Sequence, residues 1–267
     1  MMIKIARLKY MAFVCFFFVS TVVWSTGGLA EDRSELRLAV ASNFSVPAKQ
    51  LSKMFEAATG IRVFISTGST GKLYAQIKNG APYDVFLAAN AREPQALEQE
   101  GYGVVDSRFT YAVGRLVVWC RNATTSAMAR ACLENKRHKI AIANPRLAPY
   151  GAAAEAVLDR LGLSQTFKGR LITGENIAQA FQMVWSGNVP VGLVALSQVK
   201  MRDTLVGAYW VVDPADYDPI DQQAIQLHGA NTLAAKAFVI FLQSAEARSA
   251  IEGYGYALDN QAQGDRQ

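Results

Sequence analysis

From Leu36 onward, short apolar runs alternate with segments of helical spacing, the trace that βαβ units around a largely parallel sheet leave in a sequence. "LRLAVA" reads as a strand feeding a helix in "SNFSVPAKQLSKMFEAATG", where Leu51, Met54, Phe55 and Ala58 share one side, Pro47 suits an early turn and Gly60 a C-terminal cap. "IRVFIS" is the next strand and runs into "STGSTGKLYAQI", whose helix is expected to bury Leu73, Tyr74 and Ile77. "YDVFLAA" is a third strand, followed by a polar helix over Pro94 to Glu100. A second set begins near "YAVGRLVVWC" and continues with "HKIAIANP", helices over Gly151 to Leu161 and Ile177 to Ser186, and the strand "VGLVAL". After an irregular connection in "WVVDPADYDPIDQQ" come the strand "AIQL" and a helix from Thr232 to Gln243. Two α/β lobes follow from this order. With no repeat and no low-complexity linker, strands must carry the chain across the lobe boundary.

The first thirty residues stand apart. Lys4, Arg7 and Lys9 precede an apolar run from Met11 to Trp24, and Gly28 and Ala30 occupy the positions a signal peptidase reads, so a signal peptide cleaved after Ala30 is expected. The run is shorter than the ~20 residues that span a bilayer, and Cys15 lacks a lipobox. Removing three of the 27 Lys and Arg leaves 24 against 22 Asp and Glu, a mature charge of +2, so the basic pI of the whole chain implies no nucleic-acid partner. Export also leaves Cys120 and Cys132 as an even pair in an oxidising compartment, where a disulfide is expected.

The turn in "STGSTGK" resembles a phosphate loop but fails its spacing: Ser66 stands where the first glycine belongs and Leu73 where Ser or Thr should follow Lys72. Taken alone, it is equally an anion site or an ordinary capped helix start. Constellations for catalysis are missing. His138 and His228 lie in different segments without ligating neighbours and read as structural, and "VVDPADYD" reads as a solvated turn. Four loops instead share one property, small or hydroxyl residues in front of a helix: "ASNFS", "TGSTG", "APYGA" and "TGENIA". Each can present free N–H groups and the positive end of a helix dipole to one anion. Two from each lobe would form a cleft that closes on a ligand.

"LRLAVASNFSVPAKQLSKMFEAATG", "STGSTGKLYAQIKNGAPYDVFLAA", "RLVVW", "IAIANPRLAPYGAAAEAVLDRLG" and "SGNVPVGLVALSQV" together resemble the periplasmic molybdate-binding proteins of ABC transporters, over roughly Leu36 to Leu258. The resemblance implies an α/β, type II-like periplasmic-binding fold of two lobes, each a mixed, mainly parallel sheet flanked by helices, with the ligand in the interlobe cleft. Expected boundaries are a signal peptide at 1–30, lobe 1 at 31–112, lobe 2 at 113–222, a return to lobe 1 at 223–258 and a disordered polar tail at 259–267. Carried over by position, the ligand contacts implied are Ser42 with Asn43, Ser69 and Thr70, and the backbone N–H groups of Tyr150 and Ile177.

Some family members add a tyrosine hydroxyl where this chain has Ala195, so Asn43 or the Tyr150 side chain is expected to replace that donor. Lys72 is expected to point into solvent, which leaves a site of neutral donors suited to molybdate or tungstate. Glu175 is the one nearby acceptor that would favour a protonated anion such as phosphate. The expected partner is a membrane permease, and the expected state a monomer that uses no cofactor and performs no catalysis. The same fold tuned to sulfate, another oxyanion or a small acid is the alternative. An exported enzyme or an adhesion protein accounts for fewer of these features.

Overall fold

The computed structural model describes residues 35–200, 204–229 and 231–258. The expected signal peptide at 1–30 and the polar tail at 259–267 lie outside the described residues. In chain order the elements are β1 (Glu35–Ala41), α1 (Ser45–Thr59), β2 (Arg62–Gly68), α2 (Thr70–Lys78), β3 (Val85–Leu87), α3 (Arg92–Gln99), β4 (Phe109–Gly114), β5 (Leu116–Cys120) and α4 (Ser126–Ala131). There follow β6 (Ile140–Ala143), α5 (Pro149–Arg160), β7 (Leu171–Gly174), α6 (Ile177–Trp185), β8 (Val191–Ala195), α7 (Leu196–Lys200), β9 (Ala208–Val211), β10 (Ile220–Gln226), α8 (Thr232–Leu242) and α9 (Ala245–Gly253).

They build two five-stranded sheets of matching design, ordered β2-β1-β3-β10-β4 and β7-β6-β8-β5-β9. In each, four strands run one way and a single strand, β10 or β5, runs against them. The period of two in a strand supplies each sheet with two apolar faces. On β1, Leu36, Leu38 and Val40 pack under α1, α8 and α9, whereas Ala39 faces Leu73 and Ile77 of α2 and Leu97 of α3. In the second lobe Leu116 and Val118 of β5 face α5, and Val117 and Trp119 face α6, where Trp119 stacks on Phe181 with ring centroids 5.0 Å apart.

Helix α1 buries Leu51 and Phe55 on this plan, each worth ~1.5–3 kcal/mol of apolar burial, and ends where Gly60 turns left-handed at φ 74°.

The single run read in "YAVGRLVVWC" is two strands. Residues Phe109–Gly114 belong to the first sheet and Leu116–Cys120 to the second, with the chain crossing between lobes at Arg115. A Cβ on Gly114 would fall 2.2 Å from the Tyr150 hydroxyl, so the crossing needs a residue without a side chain. The return path is more ordered than expected, because "WVVDPADYDPIDQQ" contains β9 and the start of β10. Both β4 and β10 lie in the first sheet, and the boundaries expected after 112 and 222 fall inside them. Helix α9, capped by Ser244 accepting from the Ala247 N–H, was not anticipated from the pattern.

Cys120, at the end of β5, is disulfide-bonded to Cys132, just beyond α4, across twelve residues of sequence. Closing a loop of this size stabilises the fold by ~3 kcal/mol in the chain-entropy model. Denaturant unfolding with and without reductant measures this, and the reduced protein is expected to be less stable by about that amount.

Candidate functional site

The ends of β1 and β2 and the starts of α5 and α6 point at one place between the lobes. Ala41, Ser42 and Asn43 come from the first, Gly68, Ser69 and Thr70 from the second, Ala148, Pro149 and Tyr150 from the third, and Ile177 from the fourth. With Ala89 they line a single cavity of about 10 Å³, the volume of one water-sized sphere. All six residues expected at the site, Ser42, Asn43, Ser69, Thr70, Tyr150 and Ile177, are on its wall and buried. Close packing of backbone brings them there. Gly151 allows α5 to start against the end of β6, where a Cβ would lie 2.5 Å from the Ala143 carbonyl oxygen.

Hydrogen bonding within the chain leaves a defined set of donors unused. Ser69 precedes α2 in the capping position, yet its hydroxyl caps nothing, and Ser69 Oγ is a buried oxygen without a partner. Leaving such a group unpaired in the interior is costly, and of the buried unpartnered side-chain atoms among the described residues, which include Ser52 Oγ, Asn90 Oδ1 and Glu93 Oε2, Ser69 Oγ belongs to a residue on this wall. Thr70 Oγ1 accepts from the Ala89 N–H at 3.1 Å, which leaves its own proton to donate. At α6, Asn176 Oδ1 accepts from the N–H groups of Ala178 and Gln179, at 3.0 and 3.1 Å, and leaves the Ile177 N–H unclaimed. At α5 the N–H groups of Gly151 and Ala152 both reach the Ala148 carbonyl, and Pro149 has none, so Tyr150 supplies the unused N–H of that first turn.

The two side chains expected to replace the donor missing at Ala195 are engaged elsewhere. Asn43 Nδ2 donates to Gln222 Oε1 at 2.8 Å and to the Tyr256 hydroxyl at 3.1 Å. The Tyr150 hydroxyl accepts from Gln222 Nε2 at 3.3 Å. What these residues offer the cavity is backbone. Burial raises the pKa of Tyr111 and Tyr150 well above the usual tyrosine value and pushes Tyr256 up to about 12, so the hydroxyls around this network stay neutral. Beside Ala195 itself, Gln198 ties β8 to α6 by accepting from the Ala195 N–H and donating to the Ile177 carbonyl. Gln198, Gln222 and Tyr256 carry no motif that sequence alone would single out.

Lys72 does not simply face solvent. Its ammonium lies 2.6 Å from Glu175 Oε1, joining α2 of one lobe to the loop before α6 of the other. The pair stands at the mouth, where a second cavity is lined by Ser66, Lys72, Gln76 and Glu175, and Glu175 is not on the wall of the inner one. Beside it the Gly71 N–H donates to the Leu147 carbonyl at 2.9 Å, again from lobe to lobe. The inner wall thus combines neutral donors and helix starts contributed by both lobes, an arrangement chemically suited to an anion made of acceptors only.

The family model for bacterial extracellular solute-binding proteins matches residues 36–257. The molybdate-binding protein ModA of Azotobacter vinelandii is 46% identical over 232 residues, 86% of this chain and 92% of that one. The chain belongs to the ModA family. The Rhodobacter capsulatus ModA is 43% identical over 84% of this chain and 89% of its own. The solved structure of the Azotobacter vinelandii periplasmic molybdate-binding protein superposes with a TM-score of 0.79 and 36% identity, covering 84% of this chain and 99% of that one. ModA relatives of this kind are solute-binding proteins rather than enzymes.

Lys72 and Glu175 are about half exposed, so their attraction is modest and screened by salt. In a double-mutant cycle of Lys72→Gln and Glu175→Gln, the expected coupling in unfolding free energy is ~0.2–1 kcal/mol at low salt, falling toward zero in 1 M salt. The exchanged pair Lys72→Glu with Glu175→Lys should recover it.

Proposed function

We propose that this protein captures molybdate, and tungstate with similar affinity, in the periplasm and hands it to an ABC-transporter permease without chemical change. The observation that carries the reading is the buried, partnerless Ser69 hydroxyl, set among unused donors at the starts of α2, α5 and α6 with no carboxylate among the residues of the inner wall. Phosphate retains a proton near neutral pH and is best met by an acceptor. An anion that presents only acceptors fits donors alone. The names of the ModA relatives support molybdate over sulfate within that class. The reading includes a signal peptide at 1–30 and a monomer that works without a cofactor.

A dianion entering this cavity loses most of its hydration, so several charge-assisted hydrogen bonds must replace it. Thermal unfolding of residues 31–267 with molybdate, tungstate, sulfate or phosphate tests the assignment. Ligand at a hundred times its dissociation constant contributes ~2.7 kcal/mol, or a midpoint rise of roughly 5 to 11 °C for a chain of this size. The expected rise occurs with molybdate and tungstate; a rise with sulfate or phosphate in their place moves the function to that anion.

Two substitutions separate binding from folding. Ser69→Ala should leave the ligand-free stability nearly unchanged and weaken binding about ten- to a hundredfold, the loss of one bond to a charged acceptor. Thr70→Val should weaken binding similarly and also lower ligand-free stability by ~1–3 kcal/mol, because the Ala89 N–H loses its acceptor. Calorimetric titration and denaturant unfolding of both variants give the four values. Unaltered affinity in both would place the ligand elsewhere.

A further inference from the structure

Beneath the cavity lies a buried polar network centred on Gln222, a residue with no exposed surface. Gln222 stands on β10 where the pairing with β4 shifts register, between Gln222 and Gln223. Its Oε1 accepts from Asn43 Nδ2 at 2.8 Å and from the Tyr111 hydroxyl at 3.1 Å, and its Nε2 donates to the Tyr150 hydroxyl at 3.3 Å. Asn43 and Tyr150 are on opposite walls of the cavity, one after β1 in the first lobe and the other on α5 in the second. One amide therefore ties the two walls together, on a strand that has just returned from the second lobe. The network continues through Tyr256, whose hydroxyl accepts from Asn43 Nδ2 and lies 3.0 Å from both the Asn43 carbonyl and Ser197 Oγ of α7.

Each end of the amide has a fixed duty. The Asn43 amide donating to Oε1 leaves Nε2 to hold Tyr150, and the single Tyr111 proton has both Oε1 and the Ala88 carbonyl oxygen, at 3.1 and 3.2 Å, as acceptors. Asn43 in turn has its amide drawn away from the cavity, which presents its backbone to the ligand. Leucine or methionine at 222 would fill the space but leave Asn43, Tyr111 and Tyr150 with lost partners in a dry interior, where such losses are felt most.

We propose that Gln222 is the positioning residue of the oxyanion site: without touching the ligand, it sets the spacing of the Asn43 and Tyr150 walls and so the fit around the anion. This assignment rests on the function proposed above. The hydrogen-bond partners of the amide, Asn43 on the turn after β1, Tyr111 on β4 and Tyr150 on α5, are all uncharged, and burial keeps both tyrosines protonated.

The test uses Gln222→Met and Gln222→Glu in the mature protein, with molybdate and tungstate titrated at several values between pH 5 and 10. Gln222→Met is expected to weaken both anions by about tenfold or more. Gln222→Glu keeps one acceptor and one donor while protonated, and should bind as wild type at the acid end. Its affinity should then fall by more than tenfold as the carboxyl ionises behind the cavity, relative to the wild-type profile over the same range. An ionised carboxyl behind the cavity repels a dianion in either case, so Gln222→Met separates the two: a merely structural role would lower the melting temperature of the ligand-free variant and leave the affinity of the folded protein for both anions unchanged. Wild-type affinity and pH profile in both variants would overturn the assignment, and if Gln222→Glu fails to fold, the affinity of Gln222→Met decides. Wild-type protein that binds none of the anions would instead overturn the proposed function, and this assignment with it.

Discussion

Under the proposed function, the burial of an anion by donors that carry no charge is the constraint on which the rest of this architecture depends. A backbone N–H is free only in the first turn of a helix, so donors in sufficient number require several helix starts at one point. Parallel βαβ units provide this geometry, because the carboxyl ends of their strands lie on one edge and each feeds a helix. The two sheets bring such edges face to face, and Ser42, Ser69, Tyr150 and Ile177 meet from four different strand-to-helix connections. Side-chain caps are then distributed so that they do not consume these donors. Asn176 satisfies the second and third N–H groups of α6 but not the first, and Ser69 leaves α2 uncapped by its hydroxyl.

Much of this was legible because it is local. Hydroxyl and glycine residues before a helical pattern mark a helix start whatever the remainder of the chain does, and the four loops were readable on that ground. The sheets were readable for the same reason, from apolar runs with turn residues between them. What stayed hidden depends on register between distant segments. Gln222 meets Asn43 across 179 positions, and Lys72 meets Glu175 across 103. Nothing near Lys72 in sequence marks it as part of a bridge. The break at Arg115 was hidden because Gly114 looks like any strand glycine until Tyr150 is found above it.

Charge is segregated rather than absent. The ion pair joining the lobes is at the mouth, half exposed, where water screens it and its strength is small. Placed on the inner wall, the same lysine would hold a dianion far more strongly and oppose its release. A carrier must both close on its ligand and open again at its destination, and a ligand shifts the balance only by its differential affinity for the two states. Under the proposed function, neutral donors drawn from both lobes supply that difference without a fixed cation on the inner wall.

The buried amide network completes this logic. Two contacts, the half-exposed Lys72–Glu175 pair and the part-buried Gly71–Leu147 hydrogen bond, join the lobes outside the inner cavity, but neither touches the network behind its walls. The distance between those walls distinguishes a small tetrahedral anion from a larger one of equal charge, so it must be held by groups that neither titrate near neutral pH nor exchange with water. Gln222, Tyr111, Tyr150 and Tyr256 meet both conditions, since burial excludes solvent and keeps the hydroxyls protonated. The proposed site therefore divides recognition of charge from recognition of size, the first falling to backbone at helix starts and the second to the side chains packed behind them.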